Sequence, residues 1–200
     1  MGRGLSYWVY RAVFGLASLF FPKPTFEGLE NLPEGPCVLV GNHAQMHGPV
    51  LAEVWQPWDR AIWCNAEMMH MKEVPAYAFN DFWSKKPRYS RWFYRLLSYA
   101  IAPISASVFT NAHCIGVYRD ARVMNTFRES LKRLEEGARV VIFPESYTPH
   151  NNIIYQFQDP FLTLGRLYQR QRGESLAFVP MYTCPALHRV VFGAPVYYDG

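Results

Sequence analysis

Arg139-Val140-Val141-Ile142-Phe143-Pro144-Glu145 is the stretch on which the fold turns. A continuous apolar run of this length, rich in β-branched residues, predicts a strand buried on both faces. Pro144 stops the run and leaves Glu145 as a carboxylate at its tip. A hundred residues upstream the same pattern recurs. Pro36-Cys37-Val38-Leu39-Val40 predicts a second buried strand, and Gly41-Asn42-His43 turns out of it with an imidazole at the carboxyl end. Open α/β sheets place ligands in the crevice at the carboxyl ends of their strands, and here two such ends carry an imidazole and a carboxylate.

Working outward, Arg60 to Asn65 reads as a short strand and residues 113–118 as another. Asp120 suits the N-cap of a helix running through Glu136, in which Val123, Phe127, Leu131 and Leu134 recur at helical spacing and Gly137 fits the position just past the end. A further helix is predicted from about Phe161 to Gln171, ended by Gly173, followed by strands at 176–182 and 188–193. Alternating elements of this kind predict an α/β fold, a mixed sheet flanked by helices. No repeat, low-complexity run or linker divides the 200 residues, a length sufficient for one core. The expected organisation is an N-terminal helix within residues 1–24 and one domain over 25–200.

Half the residues are apolar and 16% aromatic, a high aromatic share for an ordinary globular domain. The net charge of +4 is unevenly spread. From Phe82 through Arg119 there is no acidic residue, while Lys85, Lys86, Arg88, Arg91, Arg95 and Arg119 all fall there. A local basic surface of this kind seeks phosphate. Within it, Arg91 to Ala102 has helical amphipathicity: Trp92, Phe93, Leu96, Leu97, Ala100 and Ile101 share one half of the wheel, Arg91, Tyr94, Arg95 and Ser98 the other, and Pro103 marks the expected end. Both a lipid-facing helix and an ordinary surface helix with a solvated basic face fit that pattern. Leu5 to Phe21 is apolar and aromatic, but it is short for a span and carries Arg11, so it reads as an interfacial helix. Cys37, Cys64, Cys114 and Cys184 have neither metal-site nor disulfide-framework spacing, which points to reduced thiols and a cytosolic compartment.

Four short blocks in order then carry a resemblance. Asn42-His43-Ala44-Gln45-Met46-His47-Gly48, Ile115-Gly116-Val117-Tyr118-Arg119, Phe143-Pro144-Glu145-Ser146-Tyr147-Thr148 and Phe178-Val179-Pro180-Met181-Tyr182 resemble the motifs of the 1-acylglycerol-3-phosphate acyltransferases, over residues 25–198. That family has Asn-His-x4-Asp, a strand ending in Arg, Phe-Pro-Glu-Gly-Thr-Arg, and a strand with Val-Pro. The resemblance implies a membrane-associated enzyme that moves an acyl group from an acyl thioester, acyl-CoA or acyl carrier protein, to a lysophospholipid such as 1-acylglycerol-3-phosphate. His43 would be the general base, Arg119, Glu145 and Ser146 would bind substrate, and Asn42 and His47 would support them. Against the family pattern, residues from about 75 to 109 are an insertion, and it contains the acid-free basic segment.

Two departures stand out. The family's aspartate falls on Gly48, and Gly-Thr-Arg becomes Ser146-Tyr147-Thr148. Neutralising a base-orienting carboxylate lowers turnover about 10^4-fold in a hydrolase that uses one. His47, Glu53, Glu67 and Asp81 are the candidate substitutes, and Arg166, Arg170 and Arg172 are candidates for the missing cation. The departures keep open a second reading, a non-catalytic lipid-binding relative of the same fold. No metal is expected, because His43 and His47 lack an evident third ligand. No nucleotide cofactor is expected without a Walker or Gly-x-Gly-x-x-Gly loop, and no nucleic-acid partner without a recognition motif. The expected partners are anionic membrane lipids and the two substrates, and the expected location is peripheral or monotopic on the cytoplasmic face of a membrane.

Overall fold

The computed structural model describes residues 4–145 and 159–199. The helices are α1 (Leu5–Phe20), α2 (His47–Trp55), α3 (Val74–Ala78), α4 (Arg91–Asn111), α5 (Val123–Glu135) and α6 (Thr163–Arg172). The strands are β1 (Thr25–Glu27), β2 (Cys37–Gly41), β3 (Arg60–Asn65), β4 (Ile115–Val117), β5 (Arg139–Ile142), β6 (Ala177–Cys184), β7 (Arg189–Phe192) and β8 (Val196–Tyr197). They form one mixed sheet in the order β1-β7-β6-β2-β5-β3-β4, with β8 paired to β6. The fold is the expected α/β architecture. The chain divides into two compact units, one of residues up to Leu16 with Cys64–Thr126, the other Ala17–Trp63 with Phe127–Gly200.

In the second unit, β2 lies between β5 and β6 and runs parallel to both. Parallel central strands are covered on both faces, so their residues must be apolar in sequence rather than alternating. Val38, Leu39, Val140, Val141 and Val179 are completely buried, which is why the two runs read as strands without any period. The antiparallel β6–β7 pair and the parallel β7–β1 pair complete that side of the sheet. α5 ends as its sequence predicts: Gly137 takes φ 87°, its N–H donates to Leu134 O, and Ala138 N donates to Arg133 O. α6 ends at Gly173, whose φ of 72° lets its N–H reach Gln169 O.

The first unit carries the 75–109 segment. α3 continues into a π-helical turn, Phe79–Trp83, and α4 runs 21 residues. The expected end of α4 at Pro103 is a correction, because the helix passes through that proline to Asn111. Proline's fixed φ is compatible with a helix, and its cost is one missing N–H and a displaced carbonyl four residues back. Pro103 and Tyr99 are both exposed, so that carbonyl lies on the open side of the helix. Ala102 and Ser105 stay buried on either side of the proline, and Ser105 Oγ donates to Met68 O at 2.8 Å. Ser107 Oγ donates to Ser6 O at 2.6 Å, and Asn111 Nδ2 to Ser6 Oγ at 2.8 Å, fastening the start of α1 to the last turns of α4. Among the described residues no helix is long and apolar enough to cross a membrane.

Candidate active site

Parallel pairing decides what meets at the strand tips. The register sets Val40 beside Ile142. Carried three residues further, the same offset brings His43 beside Glu145. The main-chain N–H of His43 donates to Glu145 Oε2 at 2.8 Å. The imidazole and the carboxylate predicted at two separate strand ends are thus joined, but through the backbone of the histidine and not through its ring. A hydrogen bond to an ionised acceptor contributes about 1.5–3 kcal/mol, so Glu145 is an anchor for the His43 turn.

Asn42 is the second anchor. Buried at the end of β2, its side-chain amide donates from Nδ2 to Thr183 O at 2.9 Å and accepts from Thr183 N at 2.7 Å. This paired bond continues the β2–β6 ladder by one side chain. The imidazole of His43 meets the ring of Phe143 edge to face, with centroids 5.6 Å apart. Burial lowers the pKa of His43 from its ordinary 6.5, because desolvation disfavours the imidazolium. His43 is therefore neutral at pH 7 and able to accept a proton.

His43 and His47 do not share a helix, so their four-residue spacing does not put the two rings on one helix face. His43 lies outside α2, and the intervening Ala44 and Gln45 take left-handed φ values of 43° and 60°. Neither is glycine, so the turn carries strain of about 1–2 kcal/mol per residue. The turn closes where Gly48 N donates to His43 O at 3.0 Å. His47 Nδ1 lies 3.3 Å from Ala44 O, and its ring packs on the edge of Phe21 at 5.1 Å.

Gly48, the position of the missing aspartate, has no room for any side chain. A Cβ there would collide with Asn42 O, lie 2.8 Å from Phe143 Cε1 and lie 3.0 Å from His43 O. The absence of a carboxylate is built into the local packing. Of the proposed substitutes, Glu53 is held by Arg60 at 3.2 Å. Asp81 belongs to the first unit, where it accepts from Tyr77 Oη at 3.4 Å, and Glu67 is in that unit too. Among the described residues none donates to or accepts from the His43 ring. The thiol of Cys37, within β2, is pushed up to about 11 by burial and stays protonated.

Arg119 belongs to the first unit, exposed in the bend after β4. It does not pair with Asp120, which instead binds Arg122 at 2.8 Å. Ser146, Tyr147 and Thr148 lie outside the described residues. Two members of the site have no role assigned from the sequence, Phe143 against the imidazole and Thr183 against Asn42, although the β2–β5 register carried one residue on sets Phe143 beside Gly41, two residues before His43.

The fold is similar to that of the 1-acyl-sn-glycerophosphate (LPA) acyltransferase PlsC from Thermotoga maritima. The TM-score is 0.52 and the identity 13%, over 98% of this chain and 72% of that one. At that identity the likeness establishes the acyltransferase-like fold. No family model matches the chain, and no curated protein matches it in sequence.

Proposed function

We propose that the protein is a membrane-associated acyltransferase that moves a fatty acyl group from an acyl thioester, acyl-CoA or acyl carrier protein, to the hydroxyl of a lysophospholipid such as 1-acylglycerol-3-phosphate. The observation that carries this reading is the junction of His43 and Glu145 at the tips of adjacent parallel strands. Neutral His43 takes the proton of the acceptor hydroxyl as its oxygen attacks the thioester carbonyl. The new C–O bond forms, the C–S bond breaks, and the imidazolium returns its proton to the departing thiolate. Ala44 and Gln45 offer main-chain N–H groups that bond no acceptor among the described residues, the donors available to a developing oxyanion. Arg119 is assigned to the acceptor phosphate, a task for a planar guanidinium, and Glu145 to holding the base in place. The membrane is met from its cytoplasmic face.

One observation favours the second reading, a lipid-binding relative without turnover: among the described residues the imidazole bonds no carboxylate, and a side chain at position 48 would collide with Asn42 O. Transfer from a panel of acyl thioesters to lysophosphatidic acid and other lysolipids, in mixed vesicles with wild type and His43→Ala, decides between them. Transfer lost in His43→Ala establishes the enzyme. Folded, vesicle-bound protein with no transfer above the His43→Ala background overturns it.

A further inference from the structure

α4 is turned the opposite way from an ordinary surface helix. Its inward face is made of small and hydroxylated residues: Ser98 is 1% exposed, and Ala102 and Ser105 are buried with it. Ala102 packs with Val74 and Ala78 of α3, where small side chains let the helices approach closely. The large apolar residues point away from the protein. Trp92 is 65% exposed, Leu96 62% and Tyr99 69%, with Phe93 and Ile104 also open. At 100° per residue, positions 92, 96, 99 and 103 form one stripe, flanked by 93, 100 and 104 on one side and by Arg91 and Arg95 on the other.

The arginines border the stripe as a preset charge. Arg88, Arg91 and Arg95 line an open groove of about 440 Å³ together with Trp92, Leu96 and Tyr99. Arg91 Nε donates to Lys86 O at 3.0 Å, and the Arg95 guanidinium sits 5.2 Å from the Phe79 ring centroid. Among the described residues, none of Lys85, Lys86, Arg88, Arg91 and Arg95 pairs with a carboxylate. Three guanidinium groups converging on one groove repel one another unless an anion joins them, and exposed tryptophan and leucine beside them require an apolar medium. An acidic protein would answer the charge alone. A bilayer of anionic phospholipid answers both, with phosphates at the arginines and acyl chains at Trp92 and Leu96.

We propose that the outward face of α4 docks on an anionic phospholipid bilayer, with the Arg88–Arg91–Arg95 groove seating a lipid phosphate. The same unit exposes Leu5 and Trp8 on α1, whose Ser6 is tied to Ser107 and Asn111, so α1 adds apolar surface to the unit that docks. Docking is separate from acyl transfer, and His43→Ala binds vesicles as wild type does whether or not the enzyme reading holds.

The test is flotation of the full chain with phosphatidylcholine vesicles containing no, one-fifth or two-fifths phosphatidylglycerol, at low and high salt. A cation near an anionic surface contributes about a fivefold factor in binding, so R88Q/R91Q/R95Q is expected to lose on the order of 100-fold on the anionic vesicles. W92S/L96S should lose binding at every salt concentration, and the charge-matched R166Q/R170Q/R172Q on α6 should bind like wild type. Circular dichroism checks that each variant is folded. Equal binding by wild type and R88Q/R91Q/R95Q overturns the proposal. So do equal loss in the α6 variant, indifference to W92S/L96S, or arginine-dependent retention on an oligonucleotide without vesicle binding.

Discussion

Restoring the motif acid at position 48 should damage the protein. A β-carbon there meets Asn42 O, Phe143 Cε1 at 2.8 Å and His43 O at 3.0 Å, and none of the three can yield independently. Asn42 is pinned by its two bonds to Thr183, His43 by Glu145, and the Phe143 ring by the imidazole it abuts. Overpacking a full site costs about 1–3 kcal/mol. Alanine recovers about 1 kcal/mol over glycine in a helix, leaving Gly48→Ala destabilised by about 0–2 kcal/mol. Gly48→Asp adds a buried carboxylate without a partner, and the favourable end of α2 returns only about 0.3–1 kcal/mol, so its loss is about 3 kcal/mol or more. In a chain of this length each kcal/mol lowers Tm by about 2–4 °C, which gives a fall of at most about 8 °C for alanine and about 6–12 °C for aspartate. Thermal unfolding followed by circular dichroism, with acyl transfer measured on the same preparations, is the assay. A Gly48→Asp protein as stable as wild type and faster in transfer would show that position 48 has room for the acid.

Other expectations follow from the same anchors. Glu145→Ala should cost about 1.5–3 kcal/mol in urea unfolding, whereas Glu145→Gln, which keeps an acceptor for His43 N, should cost less than half as much. Asn42→Asp sets a carboxylate oxygen against Thr183 O and should destabilise by about 3 kcal/mol, more than the same change made at an exposed asparagine such as Asn125. Ala44→Gly should raise stability by about 0.5–1 kcal/mol, since glycine relieves the left-handed φ, and a loss measured by chemical denaturation would refute the strain. His43 has its folded pKa below the unfolded 6.5, so the unfolded chain binds the proton more readily between the two values. The stability it confers is complete above 6.5 and lost as pH falls through the folded value. Wild type should thus lose more stability than His43→Ala between pH 7.5 and 5, and its kcat/KM should rise with pH to a plateau, with a midpoint below 6.5.

The parallel strands were legible because burial on both faces writes itself as an unbroken apolar run. The helix stops at Gly137 and Gly173 were legible because only glycine takes φ of 87° and 72° freely. The turn after His43 was not, for the opposite reason: Ala44 and Gln45 adopt positive φ without a glycine or asparagine to announce it, and closure by Gly48 N imposes it from outside the turn. On α4 the wheel grouped Trp92, Phe93, Leu96, Leu97, Ala100 and Ile101, of which Trp92, Phe93 and Leu96 are exposed while Ile101 packs against the buried cluster, because a wheel does not say which side faces the protein. That choice is made by Ala102, which packs with Val74 and Ala78, and by Ser98 and Ser105, buried on the same side, and hydrophobicity scales give such residues little weight.

Position 48 and Glu145 belong to one physical argument. A carboxylate bonded to an imidazole would raise its pKa and stabilise the imidazolium that forms when it takes a proton. Here the carboxylate nearest in register holds the main chain of His43, and burial alone acts on the ring, in the other direction. The base is thereby free of its proton over a wider range of pH but is weaker, and a positive charge formed on it lacks a fixed protein counter-ion among the described residues. In the proposed transfer, an acceptor that carries a phosphate would bring to the imidazolium the negative charge that the described residues do not place against the ring.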